Sequence, residues 1–479
     1  MSIQKGLEFR IGTISWFRGN ASLLYFAACL IIGLCGCSGT TSSSQASAPP
    51  PGTDVRLVSV LNPDGPQPPP TAHAVSSVPR ISSDGGFVSF LSAWNVSDTA
   101  VYRLLTLQSI CANSAGCSPA TTPVAHSTMD ALDGGNAIVR QALSANGRYL
   151  LLAVSSIGTS GESGWAYVDD TCAGVVAGCS PEDYELVFDV YHGAAISSTG
   201  RFAAFGTAAL ILHDFCLDIS ESCIPGTLWR GDYAAGNVAI AEEGRFLVFD
   251  STSSTVVPND NNDASDVFRV DTCVGAVIGC SPQTTRVSVA AGGGSANADS
   301  QSPGVNSDSR FVVFESNASN LVPGDTNGVA DIFLADTCAG VPAGCVPQIT
   351  RLSVSTGGIE ANAASSGASI SANGRFVAFT SQAANLVAND TNGMDDIFVR
   401  DTCLGTTACA PRTIRVSLAF DDREANADST ECAISADGNF VAYASKATNL
   451  VSTPTSGAGD IFLVKIDWAE RRTPKVSTR

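Results

Sequence analysis

The chain has 479 residues, with 45 acidic against 26 basic side chains, a net charge of −19 and 16 cysteines. Charge of that sign excludes partners whose affinity comes from phosphate neutralisation, so neither nucleic acid nor an anionic membrane surface is an expected ligand. Cations, neutral glycans and proteins with basic patches fit better.

The chain opens on Lys5, Arg10 and Arg18, followed by an apolar stretch from Ala21 to Leu34 and then Leu34-Cys35-Gly36-Cys37. That order reads as a targeting segment rather than as part of the fold. It resembles a bacterial lipoprotein signal, with Cys37 as the lipidated residue and Cys35 departing from the usual small residue before it. The alternative is a transmembrane anchor, but about 14 apolar residues are short of the roughly 20 a span needs. The expected organisation is a signal over 1–36, a flexible Ser/Pro-rich tether over 37–53, a folded domain over 54–467 and a tail over 468–479. The resemblance implies a membrane partner reached through the N-terminal lipid and, with Ser38 following the cysteine, an outer-membrane location in the bacterial envelope.

Past the tether, one pattern recurs seven times, as ISSDGGFVSF from Ile81, LSANGRYLLL from Leu143, ISSTGRFAAF from Ile196, IAEEGRFLVF from Ile240, VNSDSRFVVF from Val305, ISANGRFVAF from Ile370 and ISADGNFVAY from Ile434. Short β-branched and aromatic runs bounded by Asp-Gly or Asn-Gly predict strands, and repetition at intervals of 44 to 65 residues predicts a solenoid or propeller. In the best-preserved copy, strands are expected around 303–306, 310–315, 331–335 and 350–355. The fold class is therefore all-β, a seven-bladed β-propeller of four-stranded antiparallel blades, with the ring closed by a terminal strand. Val55 to Leu61 is the favoured closing strand and Thr473 to Ser477 its competitor. The repeat resembles the TolB-like propeller repeat, a relative of WD-type repeats, best over Ile370 to Ser381 with Asp396 to Asp401. The chain departs from that family's namesake in blade count and in having no N-terminal α/β domain, so no partner carries over.

Twelve cysteines form six local pairs after the third strands: Cys111 with Cys117, Cys172 with Cys179, Cys216 with Cys223, Cys273 with Cys280, Cys338 with Cys345 and Cys403 with Cys409. One pair per blade favours disulfides in an oxidising compartment over zinc, which brings two pairs together. Cys432 is left over and reads as a small core residue.

Between second and third strands lies Asp260-x-Asn262-x-x-x-Asp266, repeated as Asp325, Asn327, Asp331 and as Asp390, Asn392, Asp396. Alternating oxygen donors of this kind suit calcium, the one cofactor the sequence suggests. The alternative is turn chemistry alone, and Asp460, which persists while Pro454 and Ser456 replace its companions, favours a structural role for the last Asp. The connections SANADS from Ser295, EANAAS from Glu360 and EANADS from Glu424 fall on the same face, either as a binding surface or as a relic of duplication.

Only four histidines occur, and no catalytic motif is present; the catalytic set is empty. The leading functional expectation is a lipid-anchored, non-enzymatic binding or scaffold propeller for a protein or glycan. The alternative is a carbohydrate-active propeller acting through channel carboxylates.

Overall fold

The computed structural model describes residues 55–59, 74–97, 100–110, 121–123, 138–158, 161–173, 179, 182–188, 192–217, 223–276, 278–341, 344–453 and 455–468. Cys37, the leader and tether, and the 473–477 segment lie outside them. So do Cys111 and Cys117, the pair expected in blade one, and the disulfide expected between them is not among the described bonds.

The described strands form seven four-stranded antiparallel sheets, which are the seven blades expected. In blade five the strands are Ser300–Val305, Phe311–Ser316, Asp331–Asp336 and Gln348–Arg351. Apolar side chains fill both faces of the two middle strands, as sheets packed between neighbours require. Phe314 stacks on Phe333 at 5.8 Å, Phe379 on Phe398 at 5.9 Å and Tyr443 on Phe462 at 5.9 Å, so blades five, six and seven repeat the same aromatic pair across their second and third strands.

The glycine of the first turn serves this stacking of blades. Gly438 lies against the Phe376 ring of the preceding blade, and a Cβ there would fall 2.2 Å from Phe376 Cδ2, at a φ of +75° that favours glycine. Gly85 lies in the same way on Phe440, which makes blade one the neighbour of blade seven. Backbone hydrogen bonds between the first turns run Ser307 to Ala372, Ala372 to Ala436 and Ala436 to Ser83, carrying the ring across the point where the chain's ends meet.

Closure is N-terminal. Val55–Leu57 pairs with Asp460–Lys465 in the register Val55 with Val464 and Leu57 with Phe462. Ser59 Oγ donates to Asp460 Oδ1 at 2.7 Å and accepts from Ile461 N at 3.0 Å. In blades four and six, Ser288 donates to Asp266 and Ser417 to Asp396, each at 2.5 Å, and the two hydroxyls accept from Val267 N and Ile397 N. The lone Asp460 therefore has the structural role its sequence context suggested.

Substituting Gly438→Ala should destabilise the domain by about 1–3 kcal/mol, because the added methyl overpacks the Phe376 contact. Chemical denaturation measures it, and an unchanged midpoint would contradict this account of blade stacking.

Candidate functional site

The loops expected to hold a cation are organised around an arginine. Arg286, Arg351 and Arg415 end the fourth strands of blades four to six and direct Nη1 into the loop. Arg286 lies 3.2 Å from Asp260 and 3.0 Å from Asp266, Arg351 3.0 Å from Asp325 and 3.3 Å from Asp331, and Arg415 2.9 Å from Asp390 and 3.0 Å from Asp396. The asparagines present donors rather than oxygens to the aspartates. Asn262, Asn327 and Asn392 give Nδ2 to Asp266, Asp331 and Asp396 at 3.0, 2.8 and 3.0 Å, and to the carbonyls of Ala296, Ala361 and Ala425.

A calcium site needs converging oxygens, whereas these carboxylates already face a guanidinium and an amide. The residues as folded do not fit the ion. Blade seven points the same way, since Leu57 occupies the register of the arginines, opposite Phe462 as Arg415 is opposite Phe398, and the sequence there also lacks the first Asp and the Asn. Burial, with Asp266 and Asp331 nearby, raises the carboxyl pKa values of Asp260 and Asp325. Burial likewise raises that of Asp390, against the pull of Arg415.

The repeated connections complete this network. Glu424 accepts from Thr391 N and Thr391 Oγ1, both at 2.7 Å, and lies 3.1 Å from Arg415. Burial pushes its carboxyl up, but those donors prevail and hold it below the usual glutamate range. Asn297, Asn362 and Asn426 give their backbone N–H to the side chains of Asn320, Asn385 and Asn449, which in turn donate to Ser295 O, Glu360 O and Glu424 O. The recurrence on this face is thus a set of loop pins.

On the opposite face, Cys172–Cys179, Cys216–Cys223, Cys273–Cys280, Cys338–Cys345 and Cys403–Cys409 are disulfides, with Cα atoms 5.6–5.8 Å apart. Five of the six expected pairs are thus bonded, while Cys111 and Cys117 fall outside the described residues. Each of the five lies beside an aspartate that ends the third strand. Asp336 accepts Cys338 N at 3.0 Å and grips Arg310 in a two-bond fork of 2.9 and 2.6 Å, which depresses its carboxyl pKa. Arg310 in turn covers the Phe311 ring at 4.8 Å. Cys432 is buried and its thiol is pushed up to about 12 by burial, the inert state expected of a core residue.

Around the inner ring, the first strands of blades one, five, six and seven are bulged at Val78, Ser302, Gly367 and Glu431, all at positive φ. Carboxylates from neighbouring blades take up the freed donors. Glu431 accepts Val78 N at 2.6 Å, Asp250 accepts Ser302 N at 2.8 Å and Glu315 accepts Gly367 N at 3.3 Å. Asp250, whose carboxyl pKa is raised by burial, also receives both donors of Asn237.

The rim is different. Between the outer strands of blades four and five lies a cleft of about 670 Å³, lined mainly by apolar groups and including Val289, Ala291, Leu321, Ala335 and Ile349. Val346, one residue before the lining Pro347, is 69% exposed beside it. Nothing in the sequence pattern marked this cleft, because it arises from what blades four and five lack relative to blade six.

No protein-family profile matches the chain, and no curated protein matches it. Solved structures do. The hydrazine synthase of Kuenenia stuttgartiensis is 14% identical, covers 81% of this chain and 94% of its own, and has a TM-score of 0.41. The Cps50 (Swd1) β-propeller domain of Myceliophteria thermophila is 12% identical over 82% of this chain and 97% of its own at 0.44. The WD40 repeats of RRP9 are 10% identical over 86% and 98% at 0.43. At those values the fold rests on the strand order and register above.

Arg415→Met should cost about 3–5 kcal/mol by leaving Asp390 and Asp396 buried without their cation. Adding Asp390→Ala should recover part of that loss in a double-mutant cycle, and strict additivity would refute the pairing. Calorimetric titration of metal-stripped protein with calcium should give no saturable heat that depends on Asp260, Asp325 and Asp390. The pH dependence follows from Glu424, whose folded pKa is depressed. Its contribution is present above the ordinary glutamate range and is lost as pH falls through the lowered folded value. The melting-temperature gap between wild type and Glu424→Gln should therefore be largest near neutrality and close on acidification.

Proposed function

We propose that this chain is a lipid-tethered binding propeller of the bacterial envelope, akin to TolB-like repeat proteins, which takes a protein ligand at its rim. The cleft between blades four and five carries this reading. It is concave, mainly apolar and furnished with a few polar groups, the composition of a binding site, and the exposed Val346 extends its apolar surface. The carboxylates of the inner ring and of the loop face are engaged in holding neighbouring segments together, a state that favours binding over acid–base chemistry. The leader, the tether and the paired cysteines support export and anchoring through Cys37, and the net charge of −19 favours a basic partner.

Three measurements test the reading. Palmitate labelling should be lost in Cys37→Ala, and labelling that survives would refute that anchor. A photo-crosslinking residue at Gln348, beside the cleft, should yield an adduct absent when the probe is placed at Gln301 of the inner ring. Adducts from the inner ring alone would move the site. Turnover of a glycan panel, lost in Asp250→Asn, would replace the binding reading with an enzymatic one.

A further inference from the structure

The cleft between blades five and six is built from the same repeat positions as the one between blades four and five, yet an arginine of the chain itself fills it. Arg400, on the third strand of blade six, reaches the preceding blade, where Nη1 donates to Ser355 O at 3.2 Å, and the same Nη1 donates to Thr413 Oγ1 of its own blade at 3.0 Å. Thr413 Oγ1 donates in turn to Val354 O at 2.6 Å, and Thr413 N donates to Thr356 Oγ1 at 3.1 Å. Arg400 is half-buried there, and that burial lowers its pKa.

One blade earlier these groups are absent. Ala335 holds the position of Arg400, as their registers show, since Ala335 pairs with Ile349 and Arg400 with Thr413. Ala291 stands where Thr356 stands. The backbone acceptors nevertheless remain. Among the described residues Ala290 O accepts the Gly293 N–H at 2.8 Å and no other donor, as Ser355 O accepts the Gly358 N–H at 2.9 Å beside Arg400, and a carbonyl oxygen has a second lone pair to offer. The truncations to Ala335 and Ala291 open the 670 Å³ cleft around the carbonyl that its sibling uses to hold a guanidinium.

We infer that the cleft between blades four and five receives an arginine side chain supplied by a partner polypeptide, the stem lying along Ala335 and Ile349 and the guanidinium donating to Ala290 O as Arg400 donates to Ser355 O. Blade six thus shows, within one chain, the liganded form of the site that blade five leaves open. The apolar lining suits the methylene stem of arginine, the planar guanidinium carries several fixed donors where an ammonium is a compact, strongly hydrated charge, and the strongly acidic chain attracts a basic segment. Val346 at the edge provides an apolar neighbour for the residue flanking the arginine. The inference rests on the rim-binding reading and adds the chemistry of the ligand.

The probe is acetyl-Leu-Arg-Leu-amide, observed by saturation-transfer NMR on the propeller domain within the full chain, beside the lysine and norleucine analogues. The arginine peptide should bind, the lysine peptide should bind about two- to tenfold more weakly for the loss of one hydrogen bond, and the norleucine peptide should show no saturation. Ala335→Arg places in blade five the residue blade six carries, and Ala291→Phe places the residue that blade six carries as Phe420. Both should keep the wild-type circular dichroism and abolish peptide binding, with Ala335→Arg raising the melting temperature as the cleft fills. Equal binding of arginine and lysine peptides, or binding that persists in both blocking variants, overturns the inference. An arginine peptide that fails to bind while Gln348 still crosslinks a partner overturns the ligand chemistry and leaves the rim reading standing; loss of both overturns both.

Discussion

The interaction on which blades four to seven depend is the hydrogen bond between a serine just past the fourth strand and the aspartate that begins the third. It recurs in blades four, five, six and seven, joining Ser288 to Asp266, Ser353 to Asp331, Ser417 to Asp396 and Ser59 to Asp460. Asp266, Asp331 and Asp396 are buried and Asp460 is half-buried, and a buried carboxylate without donors is costly. The serine hydroxyl meets that demand and, by also accepting the N–H of the residue after the aspartate, fixes where the fourth strand ends. In blades four to six the arginine of the same strand adds its charge, and the loop then folds about it.

This hierarchy explains which repeated residues travel together. Leu57 replaces the arginine in blade seven, and the companion Asp and Asn are replaced in the same blade, while the aspartate that needs only a serine remains. A metal-binding loop would couple its oxygen donors to one another. These donors are coupled instead to a side chain 19 or more residues further along the sequence, on another strand.

The architecture was legible because each copy of the pattern carries its own aromatic anchor and strand period, and all but the copy from Val305, where Ser309 takes the place, carry a turn glycine. Closure by the N-terminal strand Val55–Leu57 was legible for the same reason, since the Val58-Ser59 step after it reproduces the one that follows other fourth strands. The loops that carry Asp260, Asp325 and Asp390 stood out in the sequence, but the arginine each of them faces did not, because it approaches from a strand that only folding brings near. The rim cleft was invisible in the pattern. It is defined by Ala335 and Ala291, small residues whose meaning appears only when the register places them opposite the arginine and threonine of the next blade.

The position of the closing strand has a mechanical consequence. Val55–Leu57 is both the first strand of the ring and the element that seals it, and it runs antiparallel to Asp460–Lys465. Tension applied along the chain from its N-terminal side therefore reaches the domain at its seam, pulling along the strand axis so that the three paired residues and the Ser59–Asp460 clasp share the load in shear. The blade that gives way first under traction is thus the one made from both ends of the chain, and the six blades formed from continuous sequence are shielded behind it.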